Sequence, residues 1–426
     1  MFKRLLVVAA AAFLLGQALV LSVQFVQGRG LGAGGEAARK ADRFKQVIQL
    51  IHEHYVKEDA AAYDKLSDTA LESLLHSLDP HSDFLTAREF QNFRADTSQE
   101  FGGIGVQIEM RERRLTVVAP IDGTPGAKAG LMRGDQFVKV DDKDVIGLSL
   151  DACLDLLRGK PGSSVSITLF RPRTGETYER RVTREIIKVE SVRDVRMLDD
   201  GIGYLRVLQF GERTGAEFLR GLEELEERGM KGLVLDLRDN PGGLLDAAVA
   251  VSQPFFRRGE VITYTQGRDE RSRENINARM SGSPRTYPVA VLVNSGSASA
   301  SEIVAGSLRD TGRAVLVGEK TFGKGSVQTI LPLRGGTEAI RLTTALYYLP
   351  SGVVINGRGI EPDIPVTLTV EEERRLAVQR NRLGLMTEKE FAEQFEFEPI
   401  EDRQLSAARD ALRAVILVET TLADRR

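Results

Sequence analysis

Residues 291–302 read VLVNSGSASASE. Val289 to Val293 is a short apolar run, the pattern of a strand buried on both faces, and Asn294 ends it. Beyond Glu302 the apolar residues Ile303, Val304 and Leu308 return at helical spacing. A strand that breaks into small residues and restarts as a helix leaves a serine hydroxyl in the open. That hydroxyl lies beside unpaired helix N-terminal N–H groups, which stabilise a developing oxyanion. A plain helix cap by Ser299 or Ser301 fits the same residues, so a second signal is needed.

A serine nucleophile needs a base, usually histidine. The four histidines, His52, His54, His76 and His81, all lie far upstream, which argues against a histidine-based triad. Lysine is the base used on other folds, provided burial keeps the amine neutral. Residues 321–328, TFGKGSVQ, offer Lys324 between two glycines, with Gln328 four residues on. In an extended chain 324, 326 and 328 share a face, so Gln328 is a candidate to orient the Lys324 amine. For Lys324 to work at neutral pH, burial has to lower its pKa substantially.

Taken together, the run from Asn294 to Glu302 and the Lys324-x-x-x-Gln328 spacing resemble the carboxy-terminal processing proteases, serine peptidases with a Ser-Lys catalytic pair. The resemblance extends over nearly the whole chain from about residue 40. It implies that Ser299 is the nucleophile, Lys324 the base and Gln328 its orienting partner. It also implies a ClpP/crotonase-like α/β protease core with an inserted PDZ domain and helical N- and C-terminal regions, an α/β (α+β multidomain) chain.

A net charge of −3 over 426 residues and the absence of a basic patch with interleaved aromatics argue against nucleic acid. The one cysteine, Cys153, excludes an intramolecular disulfide and sits in the apolar pattern of core filler. Met1-Phe-Lys-Arg precedes an apolar stretch from Leu5 to Val26, so residues 1–28 read as an export signal or membrane anchor. The expected location is the periplasm or the extracytoplasmic face of the inner membrane, with membrane contact only through that segment.

Two helices are expected at Glu36 to Tyr55 and Tyr63 to Leu78, the N-terminal helical region 29–98. By resemblance this region packs against another subunit. His52 and His54 lack a third ligand and HExxH spacing, and read as a solvated pair rather than a metal site; no metal and no cofactor is expected. Phe101-Gly-Gly-Ile-Gly-Val106 opens a different unit, 99–188, that resembles a PDZ domain. Gly102, Gly103, Ile104, Gly105 and Val106 would supply converging N–H groups for a peptide carboxylate and an edge for strand addition.

The protease core is placed at 189–365. Buried strands are expected at Gly201 to Val207 and Gly232 to Arg238, the latter ending in Asp239-Asn-Pro-Gly-Gly243. A Gly-Gly turn at the carboxyl end of a strand is where a site lies in such sheets. The N–H of Gly242 or Gly243, with that of Ala300, is the candidate oxyanion hole. Residues 257–288 are polar and are expected as a solvated surface excursion. The tail, 366–426, is expected to be helical, with Leu405, Leu412, Val415 and Ile416 forming a stripe that docks on its own domain or on a partner subunit.

Gly318 to Lys324 nearly completes a phosphate loop, but Gly325 replaces the Ser or Thr that would bind magnesium. The leading expectation is therefore a serine endopeptidase that takes protein or peptide substrates by their C-termini. A homo-oligomer is expected, with an adaptor protein as a further candidate partner. The competing reading is a non-catalytic periplasmic PDZ scaffold or chaperone. A hydrolase of small acyl compounds suits the PDZ segment less well.

Overall fold

The computed structural model describes residues 33–382 and 385–423, so the apolar stretch within residues 1–28 lies outside the described residues. No helix among the described residues is long and apolar enough to cross a membrane. The chain forms two compact units, which divide between Phe84 and Leu85.

The first unit contains the helices Ala33–His54 and Tyr63–His76. The second stops two residues earlier than its apolar spacing predicts. Beyond it the Asp79 carboxylate accepts the backbone N–H groups of His81 at 2.7 Å and Ser82 at 2.9 Å, a turn that competes with helix continuation. The expectation of a solvated histidine pair holds only for His54. His52 Nδ1 lies 2.8 Å from Ala61 O, and its ring stacks on Tyr63 with centroids 4.0 Å apart.

The second unit begins with the helix Ala87–Ser98. Glu100–Gly103 then pairs antiparallel with Glu185–Lys188, which brings the two ends of an inserted module together. Inside it a sheet runs in the order Val106–Arg111, Arg114–Pro120, Gln136–Val140, Ser164–Arg171 and Glu176–Thr183. Its core is built from Ile104, Leu115, Phe137, Ile167 and Leu169, with Cys153 fully buried among them. Val106–Arg111 is the edge strand of this sheet, so it has a row of backbone groups that another strand can pair with.

The core sheet has the order Val192–Met197, Ile202–Val207, Gly232–Asp236, Val289–Val293, Ala314–Gly318 and Ile364–Pro365, parallel from the second strand onward. Successive residues of a strand point to opposite faces. Leu233, Leu235, Val291 and Val293 therefore meet the helices Thr214–Glu227, Leu245–Ser252 and Ala300–Asp310 on one side. Val234, Ala290 and Leu292 face the other way, onto Ala408 and Leu412 of the helix Arg403–Ala423. That contact decides where the terminal apolar stripe goes: Leu405, Leu412 and Ile416 cover the open face of their own sheet, while Val415 stays exposed.

One expectation needs correction. Residues 257–288 are not a solvated excursion, because Val261–Gly267 and Glu274–Asn277 are strands that pair with each other. Val261–Gly267 pairs in turn with Ala339–Tyr348, which also pairs with Ser326–Pro332. Ile262 and Tyr264 supply the buried side, which the many charged neighbours hide from a periodicity argument. The inserted module meets the C-terminal region through Arg382, 2.9 Å from Glu109, and through Arg133, which bonds Gln394.

Candidate active site

Three strands of the core sheet end side by side. Gly232–Asp236 leads to the turn ending at Gly243, Val289–Val293 leads to Ser299, and Ala314–Gly318 leads to the Lys324 loop. The carboxyl ends of parallel strands are where open α/β sheets carry their sites. The first two segments are joined by the Asn294 side chain and the Asn240 backbone carbonyl. Asn294 Oδ1 accepts Asp239 N–H at 2.9 Å, and its Nδ2 donates to Asp239 Oδ1 at 2.7 Å. Asn240 O accepts Ala298 N–H at 3.0 Å and the Ser301 hydroxyl at 2.8 Å.

Ser297 Oγ donates to Leu237 O at 2.8 Å. The hydroxyls on either side of Ser299 are therefore committed to backbone carbonyls. Ser299 stands at φ 54°, ψ −111°, immediately before the helix Ala300–Asp310. A side chain in that region of backbone space costs on the order of 1–3 kcal/mol, and such strain gathers at functional sites. The Ser299 N–H donates to Glu302 Oε2 at 2.8 Å.

Ser299, Lys324, Gln328, Gly242 and Gly243 line one groove of about 610 Å³. Lys324 is half-buried. Gln328 Nε2 donates to Ser326 Oγ at 2.8 Å, and Ser326–Pro332 carries a register shift between Val327 and Gln328. Gly242 packs on the start of the helix Ala300–Asp310: an added Cβ would come 2.8 Å from Ser299 Cβ and 2.9 Å from Ala300 N. Its own N–H donates to Asn240 Oδ1 at 2.9 Å. Gly243 has φ 141°, and a Cβ there would collide with Phe210 O. In the inserted module, Gly102 and Gly103 belong to the paired strand, Gly105 has φ 71°, and Val106 starts the edge strand.

A buried ion cluster lies beneath the Asp239–Gly243 turn. Arg238 is fully buried. Its Nη2 is 2.7 Å from Asp236 Oδ2, and it also reaches Asp402 at 2.8 Å and Gln404 at 3.1 Å. Burial alone would raise the Asp236 pKa, but the Arg238 charge and hydrogen bonds outweigh it and hold that carboxyl far below its ordinary value.

A profile of "Peptidase family S41" matches residues 201–366, and one of the PDZ domain matches 116–171. A carboxy-terminal-processing protease of Bartonella bacilliformis is 39% identical over 378 residues, 88% of this chain and 85% of that protein. The chain belongs to peptidase family S41. A carboxy-terminal processing protease of Bacillus subtilis is 35% identical, over 81% of this chain and 73% of its own. A Bacteroides fragilis structure described as an S41 protease aligns over 88% of this chain and 97% of its own with TM-score 0.51. At 15% identity it speaks to the fold alone. This S41 chain is a serine-type peptidase of the C-terminal processing kind, with an α/β core and a PDZ module.

The groove of this S41 chain has lining residues that motif reasoning missed. Phe93, Asp96 and Thr97 come from the helix Ala87–Ser98, and Asp246 and Arg341 from the core. That helix has a sequence signal of its own, the capping-box spacing of Thr86 and Glu89. Burial and the nearby Asp246 carboxylate push the Tyr347 phenol up to about 12, so its hydroxyl stays protonated at neutral pH. Glu302 closes the serine run. Its spacing from Ser299, three residues on, is that of a capping box and was a usable signal.

Proposed function

We propose that this chain is a Ser-Lys endopeptidase that captures exported polypeptides by their C-termini and cleaves them nearby. The observation that carries the reading is that Ser299, Lys324 and Gln328, which come from two separate segments of the sequence, line the same groove. Ser299 Oγ attacks the scissile carbonyl while the neutral Lys324 amine takes its proton and later gives it to the leaving amine. Water then attacks the acyl-enzyme, and Lys324 takes its proton and returns it to Ser299 Oγ as the acyl–oxygen bond breaks and the carboxyl product leaves. With Gln328 Nε2 donated to Ser326, its Oε1 is the atom offered to the Lys324 amine.

The oxyanion is met by the N–H groups of Ala300 and Gly243. Gly242 has already given its N–H to Asn240, so its part is to bring the turn against the helix. The edge strand Val106–Arg111, entered through Gly102, Gly103, Ile104 and Gly105, would pair with the substrate's last residues and hold its carboxylate. Residues 1–28 direct the chain to the periplasm or the outer face of the inner membrane. A homo-oligomer and an adaptor protein belong to the same reading.

The test uses protein lacking residues 1–28, unaltered and as Ser299→Ala or Lys324→Ala, mixed with an unfolded protein that has an apolar C-terminus. Fragments are followed by mass spectrometry. The reading expects cleavage only by the unaltered chain, with binding kept by all three. Binding without cleavage by any of them would favour the scaffold instead.

A further inference from the structure

The carboxylate of Glu302 has no role in the chemistry above, yet it is fully buried one helical turn from the nucleophile. Four donors converge on it. Oε2 accepts the backbone N–H of Ser299 at 2.8 Å and that of Lys324 at 2.9 Å. Oε1 accepts the Thr321 hydroxyl at 2.5 Å and the Gly323 N–H at 2.8 Å. An ionised carboxylate is acceptor-only with about four lone-pair sites, so the donor set matches it site for site. Thr321 is fixed in turn by accepting the Ile360 N–H at 2.8 Å.

We infer that Glu302 is the positioning residue of the catalytic pair: one carboxylate oxygen sets the separation of the Ser299 and Lys324 backbones. The inference rests on the Ser-Lys reading and adds to it. A helix N-terminal glutamate needs only its own helix's N–H groups for capping. Glu302 instead spends three of its four bonds on the loop 321–324. That loop has no regular secondary structure of its own, and Gly323 supplies no side-chain packing. Ser299, for its part, sits in strained backbone that an N–H bond to a fixed acceptor helps to hold.

Glu302→Gln replaces one acceptor oxygen by an NH2, which must then face two N–H groups or a hydroxyl and an N–H. The nucleophile and base shift apart, while the rest of the groove, which Glu302 does not line, is kept. Misplacement of reacting groups by an ångström costs about 100-fold in rate.

The experiment measures kcat and KM for one peptide substrate, with thermal melting, on the full chain and on Glu302→Gln, Thr321→Val, Thr321→Ser and Ser299→Ala. The expected result is a kcat about 100-fold lower in Glu302→Gln with KM within about twofold. Thr321→Val is expected to lose roughly 10-fold in kcat, and Thr321→Ser, which keeps the hydroxyl, to recover it. If Glu302→Gln does not fold, the Thr321 pair decides. A folded Glu302→Gln or Thr321→Val with unchanged kcat, or one altered only in KM, would overturn the positioning role. Cleavage surviving in Ser299→Ala would instead sink the Ser-Lys reading itself, a separate outcome.

Discussion

Asn294 and Asp239 bond each other twice: the Asn294 amide donates to Asp239 Oδ1 at 2.7 Å, and its oxygen accepts the Asp239 N–H at 2.9 Å. The pair joins the segment carrying Ser299 to the glycine turn. Asp239 is also held by Arg380 at 2.7 Å. Asn294→Ala removes both bonds, but Asp239 is partly exposed and keeps Arg380, so a loss of about 1 kcal/mol in stability is expected. Urea unfolding measures that loss. Steady-state kinetics on the folded variant should show kcat falling more than KM rises.

Gly243→Ala tests the turn. With φ at 141° and Phe210 O in the way of a Cβ, the turn has to move, and with it the Gly243 N–H. A drop in kcat of about 100-fold is expected, the cost of one lost oxyanion donor. Gly229→Ala, at φ 80° with open space around it, carries similar backbone strain just before the amino end of strand Gly232–Asp236, opposite the strand end that carries the site. It should leave turnover of the folded protein unchanged.

The buried Asp236–Arg238 pair makes stability depend on pH with a definite sign. The folded-state value of Asp236 lies below the unfolded one, so its contribution is fully present above about pH 4, the unfolded value. It is lost as pH falls from there through the folded value. Asp236→Asn should destabilise the chain by about 3 kcal/mol at pH 7, because the buried Arg238 loses one of its two carboxylate partners and keeps only Asp402. The gap from the unaltered chain should narrow below pH 4 in urea titrations. A gap that widens with acid would reverse the sign.

Leu412 and Leu417 separate a packed face from an exposed one on the same helix. Leu412 is 1% exposed against the sheet, and Leu417 is 68% exposed. Leu412→Ala should cost about 3 kcal/mol. Leu417→Ala should stay within about 0.5 kcal/mol, as surface substitutions do. Thermal melts of the two variants make the comparison.

Much of this was legible from local pattern. Val289 to Val293 and Gly232 to Asp236 are apolar runs bounded by small residues, so both the strands and the turns after them announce themselves. Strands Val261–Gly267 and Glu274–Asn277 did not, because only one side of the hairpin is buried and residues 267–275 are crowded with charge. The face shared by 324, 326 and 328 was read from an unbroken extended chain. The strand begins only at Ser326 and shifts register before Gln328, a bulge that no side-chain pattern signals. Long-range partners were out of reach for the same reason: nothing near Arg238 in sequence points to Asp402, and nothing near Glu302 points to Thr321.

The most direct measurement of the central claim is covalent. A fluorophosphonate, which phosphonylates activated serines with loss of fluoride, is incubated with the folded chain, and the modified residue is located by peptide mass spectrometry. The account predicts one adduct, on Ser299, formed at least about 100-fold more slowly in Lys324→Ala. An adduct elsewhere, or labelling of Ser299 at the same rate without Lys324, would contradict it.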